Sequence, residues 1–241
     1  NYAGINSDIK SLRSFYDGPI IEDCAWSCYA EDAGSRGDVA VWSFQSVKTI
    51  SCGDGGIVTT NSEKIYNEIK LLTNFGIPED TYKRAMNDDR NNLKPGYVWD
   101  FEISRLGYKA YMNDLQASLV LSQLRHLNKY LETRMYIQKK YNEELPDEIS
   151  RPEWSNTCGL YSPSVSAKIR NELMNYLSTK NIHTTIHFKP LHLHPLFSQN
   201  RNFPVADNEW HKFISLPCHP EMSEEDINYV IYWTKKFFEI K

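Results

Sequence analysis

The sequence predicts an α/β protein: a parallel or mixed sheet with helical cover, followed by a smaller α/β unit. Short β-branched runs alternate with amphipathic segments over residues 1 to about 75. A long stretch of helical periodicity begins at Asn113 and runs towards Pro146. Beyond it, helical and strand-like segments alternate again.

In order along the chain, Tyr2 to Gly4 is expected to finish a strand. Ser7 or Asp8 then caps a helix with Ile9, Leu12 and Phe15 on one face. Gly18-Pro19 leads into the apolar strand "PII", which closes on Asp23. "DVAVWSF" is a second strand carrying Val39, Val41 and Phe44, and "GIVTT" a third, β-branched almost throughout. "SEKIYNEIKLLTNFG" is a helix capped by Ser62, with Glu63 in its first turn and its end near Gly76. Residues 77–105 are polar and charged, a loop length that usually has a function. The long helix places Ala117, Val120, Leu121, Leu124, Leu127 and Leu131 at helical spacing, and a domain change is expected along it. "SAKIRNELMNYLSTKN" follows as an amphipathic helix, then "IHTTIHF" and "FISLP" as strands. The terminal helix buries Ile227, Val230, Ile231, Phe237 and Phe238 behind a capping-box-like Ser223–Asp226 start. The chain opens on Asn1 rather than Met, and on a crossover helix, so it is expected to be the C-terminal part of a larger polypeptide.

Composition excludes some classes of function. A net charge of −4 with scattered basic residues gives no footprint for nucleic acid. No apolar run is long enough to span a bilayer, and no signal segment opens the chain, so no membrane partner is expected. Five cysteines, Cys24, Cys28, Cys52, Cys158 and Cys218, form no CxxC pair and leave an odd one out. Reduced thiols in a cytoplasmic protein account for them.

The stretch "SFQSVKTISCGDGGIVTT" places Lys48 between two strands, where burying an ammonium is costly unless something pairs or neutralises it. A covalent Schiff base is one chemical answer. Pyridoxal phosphate needs such a lysine, a carboxylate on its pyridine nitrogen, hydroxyls and amides around its phosphate, and a flat group against its ring. Asp23 ends a strand, where sheets present functional side chains. Ser43 lies five residues before Lys48, in reach of a phosphate oxygen, and "GDGG" supplies a tight turn. Each piece also has an ordinary explanation: a turn cap for Asp23, a solvated charge for Lys48. Their order is what carries the signal.

"IEDCAWS", "SFQSVK" and "GDGG" in that order resemble the DegT/DnrJ/EryC1/StrS family of sugar-nucleotide aminotransferases. The likeness continues through "LGYKAYMNDLQASLVLSQL", "IHTTIHFKPLH" and "FISLPCHPEMSEEDI". The resemblance implies a fold-type I pyridoxal-phosphate enzyme, part of a mostly parallel sheet with helices on both faces plus a small C-terminal α/β domain. Residues 1–130 would belong to the large domain and 131–241 to the small one. It implies transfer of an amino group, from L-glutamate, to a keto carbon of a nucleotide-linked sugar, in a homodimer with shared active sites. Lys48 would be the Schiff-base lysine and proton shuttle, Asp23 the pyridinium partner and Ser43 a phosphate ligand.

Trp26 stands where relatives carry Gln or His, and it can donate to the cofactor's ring oxygen or simply pack. Tyr111 stands where relatives often carry Arg, Asn or His. His187 and Tyr111 are expected at the substrate-site rim. His187, His192 and His194 do not make a familiar zinc spacing, so no metal is expected. Two alternatives stay open: a non-catalytic fragment or structural partner of such an enzyme, and a pyridoxal-phosphate-dependent sugar dehydratase. The dehydratase branch has His where this chain has Lys48.

Overall fold

β1 (Ile21–Asp23) and β2 (Val39–Ser43) pair in parallel, with Ile21 opposite Val39, Glu22 opposite Ala40 and Asp23 opposite Val41. Strand alternation turns Glu22 and Ala40 to one face, where both are buried. It turns Asp23, Val41 and Ser43 to the other. β3 (Gly56–Thr59) runs antiparallel to β2, from Ser43 opposite Gly56 to Ala40 opposite Thr59. The computed structural model describes residues 1–27, 30, 32–78, 101–151, 159–198 and 201–240. Among these, the three-stranded sheet has the order β1-β2-β3, with β1 and β2 parallel and β3 antiparallel because the chain doubles straight back after β2. Cys28, Cys158 and positions 79–100 of the polar stretch lie outside the described residues.

The chain divides into two compact units. One comprises Asp8–Ala25 and Asp32–Gln123; the other comprises Asn1–Ser7, Trp26–Glu31 and Leu124–Lys241. In the first, α1 (Ile9–Arg13) starts at Asp8, whose carboxylate accepts from the Ser11 N–H at 2.9 Å. Ile9 is its buried contact, whereas Phe15 lies beyond the helix end and is exposed. Asp38 accepts from the Ile20 N–H at 2.7 Å and from Arg13 at 2.6 Å, tying the entry of β1 to α1. α2 (Glu63–Thr73) is capped by Ser62, which accepts from the Ile65 N–H. It closes through a Gly76 N–H bond to Leu71 O at 3.0 Å. Gly76 has φ 75°, and a Cβ there would collide with the Arg105 carbonyl, so glycine is required.

The long helix is two helices, α3 (Asp114–Leu124) and α4 (Leu127–Glu144), interrupted at Arg125-His126. Of the apolar positions at helical spacing, only Val120 is buried; Leu121 and Leu124 are exposed. The buried face of α4 is instead Arg134, Ile137, Gln138 and Tyr141.

In the second unit, α4, α5 (Arg170–Ser178) and α7 (Glu224–Ile240) enclose a core that includes Ile137, Tyr141, Leu173, Leu177, Ile227 and Ile231. Phe238 packs against it only partly buried. α6 (Pro204–Glu209) is a short helix outside this core. The strands expected here are single antiparallel bridges: Ser150 to Ser164, Ser164 to Phe213, Tyr161 to Leu216, and Thr185 to Ser215. "IHTTIHF" therefore contributes one bridge, at Thr185, rather than a strand. Buried arginines satisfy the carbonyls that an irregular chain leaves open. Arg134 donates to Gly159 and Cys218, and Arg170 to Phe213 at 3.1 Å. Ala3-Gly4 forms a two-residue turn between Tyr2 and Ile5, so Tyr2 to Gly4 is not a strand end. Ala3 and Gly4 have positive φ, and Tyr2 and Ile5 exchange backbone bonds. No helix among the described residues is long and apolar enough to cross a membrane.

Candidate active site

Parallel pairing of β1 and β2 brings their carboxyl ends to the same edge of the sheet. Asp23 closes β1 and Ser43 closes β2, on the same face. Ligands of α/β sheets gather at such edges. Asp23 Oδ1 accepts from the Ala25 N–H at 2.9 Å, which fixes the carboxylate's orientation over the turn that follows. Ser43 Oγ accepts from the Gln45 N–H at 3.3 Å.

Lys48 sits in the loop that joins β2 to β3. The Phe44 N–H bonds Gly55 O at 2.8 Å, the Ser46 N–H bonds Gly53 O at 2.9 Å, and the Cys52 N–H bonds Phe44 O at 3.0 Å. Gly53 and Gly55 take φ values of 86° and 154°, which other residues rarely adopt. A Cβ on Gly55 would also press within 2.9 Å of Cys52 Sγ and Met112 Sδ. The Lys48 N–H donates to Gln45 O at 2.9 Å, and Thr49 and Ile50 behind it are buried. Lys48 itself is half-buried. Burial pushes its amine below the ordinary lysine range, while the nearby charge of Asp23 acts in the opposite direction. Asp23 and Lys48 therefore share one electrostatic neighbourhood.

Two residues that sequence reasoning passed over hold this loop from α3. Gln123 accepts from the Ser51 N–H at 2.8 Å and donates to Ser51 O at 2.6 Å; Gln116 donates to Asp54 O at 2.7 Å. Gln116, Val120 and Gln123 lie on one helical face. The docked stripe is thus partly polar, which is why the leucines beside it face outward. The seven-residue spacing of the two glutamines was the available signal.

Glu22 was also passed over. Its buried carboxylate faces away from Asp23 and accepts from the N–H groups of Gly34 at 3.1 Å, Arg36 at 2.8 Å and Gly37 at 2.6 Å. Glu22→Gln keeps the shape but turns one acceptor into a donor facing N–H groups. The expected cost is about 2–3 kcal/mol of stability, from lost charge-assisted bonds. It should appear as a lower denaturant midpoint at unchanged m-value. A loss under about 0.5 kcal/mol would show that the carboxylate does not hold the 34–37 loop.

Tyr111, in the same unit as Lys48, is exposed, with the Lys109 ammonium 5.9 Å from its ring centroid. Trp26 and His187 belong to the other unit. There they meet edge to face, ring centroids 5.7 Å apart. His187 Nδ1 lies 2.8 Å from Ser215 Oγ. His192 pairs with Asp207 at 2.6 Å and packs on Phe203. Among the described residues, no three His, Cys, Asp or Glu side chains gather as a metal site would require. Among the described residues, Cys24, Cys52 and Cys218 form no disulfide.

Comparison with known proteins gives a consistent result. Residues 1–234 match the DegT/DnrJ/EryC1/StrS aminotransferase family. The chain is 32% identical to an uncharacterized protein of Methanocaldococcus jannaschii, over 95% of this chain and 62% of the relative. It is 30% identical to the spore coat polysaccharide biosynthesis protein SpsC of Bacillus subtilis, over 88% of this chain and 58% of the relative. It thus spans about three fifths of the length of these curated relatives. Among solved structures, Spr1654 of Streptococcus pneumoniae in its PMP form superposes with a TM-score of 0.83 at 25% identity, covering 99% of this chain and 68% of that one.

Proposed function

This chain belongs to the DegT/DnrJ/EryC1/StrS aminotransferase family, and on that premise we propose that it serves a pyridoxal-phosphate-dependent sugar transaminase. The amino donor is L-glutamate and the acceptor a nucleotide-linked keto-sugar. The observation that carries this reading is the joint placement of Asp23, Ser43 and Lys48. A carboxylate and a hydroxyl share one face at the carboxyl ends of paired strands, and a half-buried amine of lowered pKa follows in the next loop. That set fits a cofactor bearing an aldehyde, a pyridine nitrogen and a phosphate. Spr1654, a solved structure similar to this chain, was obtained in a PMP form, which supports the same group here.

Bound, the cofactor supplies an electron sink and carries the amino group between donor and acceptor. The chain's own residues do the rest. Lys48 Nζ, kept closer to neutrality by burial, takes and returns the proton at the donor's Cα. Asp23 holds the pyridine nitrogen protonated; an ion pair there is worth several kcal/mol at an effective dielectric of ~20. Ser43 hydrogen-bonds the phosphate. The protein is a cytoplasmic homodimer in which each subunit completes its partner's site. Neither nucleic acid nor a membrane is among its partners.

The test is kinetic. With L-glutamate alone, the intact protein carrying the cofactor should lose its visible absorbance and release 2-oxoglutarate. Initial rates against both substrates should give parallel double-reciprocal lines, the mark of a ping-pong sequence. Intersecting lines, or no half-reaction with any amino acid, would overturn the proposal.

A further inference from the structure

In the second unit, α4 buries a positive charge for which the described residues supply no carboxylate. Arg134 is 5% exposed, and Gln138, one turn further along, is 1% exposed. Residues four apart share one face of a helix. Arg134 Nη1 is engaged, donating to Gly159 O at 3.2 Å and to Cys218 O. Its Nε is buried without a hydrogen-bond partner, and so is Nε2 of Gln138. Among the described residues none accepts from Arg134 Nη2, and no Asp or Glu pairs with the guanidinium.

A buried charge without a counter-charge and buried donors without acceptors each cost free energy. One kind of guest removes all of these costs. The Nε–H and Nη2–H bonds of a guanidinium run parallel and form the edge that grips anions. Long side chains on a helix lean towards its N-terminus, so the Gln138 amide lies over the turn that carries Arg134. Ile137 and Tyr141, their neighbours on the buried face, bring no charge, because burial pushes the Tyr141 phenol well above its ordinary pKa. Both buried open positions, Arg134 Nε and Gln138 Nε2, are donors. A water molecule would accept from them but bring two protons of its own that need acceptors. A halide brings none, and it neutralises the guanidinium.

We propose that Arg134 and Gln138 form an internal site for one small monovalent anion of the halide class. The Nε–Nη2 edge of Arg134 and the amide of Gln138 hold it, and it stabilises the second unit.

Equilibrium unfolding of the intact protein tests this, with chloride exchanged for gluconate at constant ionic strength. Gluconate carries the same charge but is too large for a site buried between two side chains. An anion bound only by the folded state raises the folding equilibrium constant in proportion to its concentration once the site fills. Each tenfold rise in chloride beyond that point should therefore raise the constant about tenfold, and bromide should replace chloride. Gln138→Met keeps the length of the side chain and removes the donor, so the response should need at least about tenfold more chloride. Arg134→Lys keeps the charge but loses the two-bond edge, and should abolish the response; if it does not fold, Gln138→Met decides alone. Wild-type stability that ignores chloride would overturn the proposal. That is the result if water fills the site, or if the Gln138 amide turns its carbonyl onto the guanidinium. A chloride response left unchanged by Gln138→Met would overturn it too, because the anion would then bind elsewhere.

Discussion

Lys48→Ala should lower transamination by at least about 10⁴-fold, a loss of ~5.5 kcal/mol of transition-state stabilisation. No other group in the described loop can replace it. Thr49 and Ile50 are buried behind it, and the backbone around it is committed to the bonds that fold Phe44 to Gly55 into a hairpin-like loop. The variant should still fold, because the Lys48 N–H bond to Gln45 O and the Gln123 clasp on Ser51 involve no atom of the lysine side chain. Cofactor should still bind non-covalently through its phosphate. Titration with pyridoxal phosphate and assay of the glutamate half-reaction separate the two effects. Retention of more than about one per cent of the activity would remove Lys48 from the chemistry.

Asp23→Asn should slow the half-reaction more than about a hundredfold, ~3 kcal/mol, while leaving the protein's stability nearly unchanged. The reason lies in how Asp23 is held. Its Oδ1 accepts from the Ala25 N–H, and an asparagine carbonyl can do the same, so the turn survives and only the charge is lost. The charge has a second effect, because Asp23 raises the pKa of Lys48 against the downward pull of burial. Removing it should lower the Lys48 pKa further, so the acid limb of its reaction with amine-directed reagents should move to lower pH. A variant with near-normal half-reaction rates and an unmoved acid limb would reduce Asp23 to a turn residue.

Local features of this fold were legible because local chemistry writes them. The β-branched runs around Val39 and Val58, the Ser62 cap, and the Ser223–Asp226 start of the terminal helix are patterns within a few residues. The order of Asp23, Ser43 and Lys48 was legible for the same reason. What stayed hidden depends on partners distant in sequence. The break at Arg125-His126 has no glycine or proline to announce it. Gln116 and Gln123 look like ordinary helix polars until the backbone of Ser51 and Asp54 arrives. "IHTTIHF" has strand composition, yet only Thr185 finds a partner, since neighbouring segments supply single bridges. The hydrogen bond from the Tyr2 hydroxyl to the His187 carbonyl joins residues 185 apart in sequence. No spacing rule reaches that far.

The most direct measurement is reduction with borohydride of the intact protein loaded with pyridoxal phosphate, followed by peptide mapping. The predicted result is one stoichiometric label, on the peptide "SVKTISCGDGG", at Lys48, and none in Lys48→Ala. Label on a different lysine, or no label from a protein that binds the cofactor, would contradict the assignment of Lys48 as the residue that holds it.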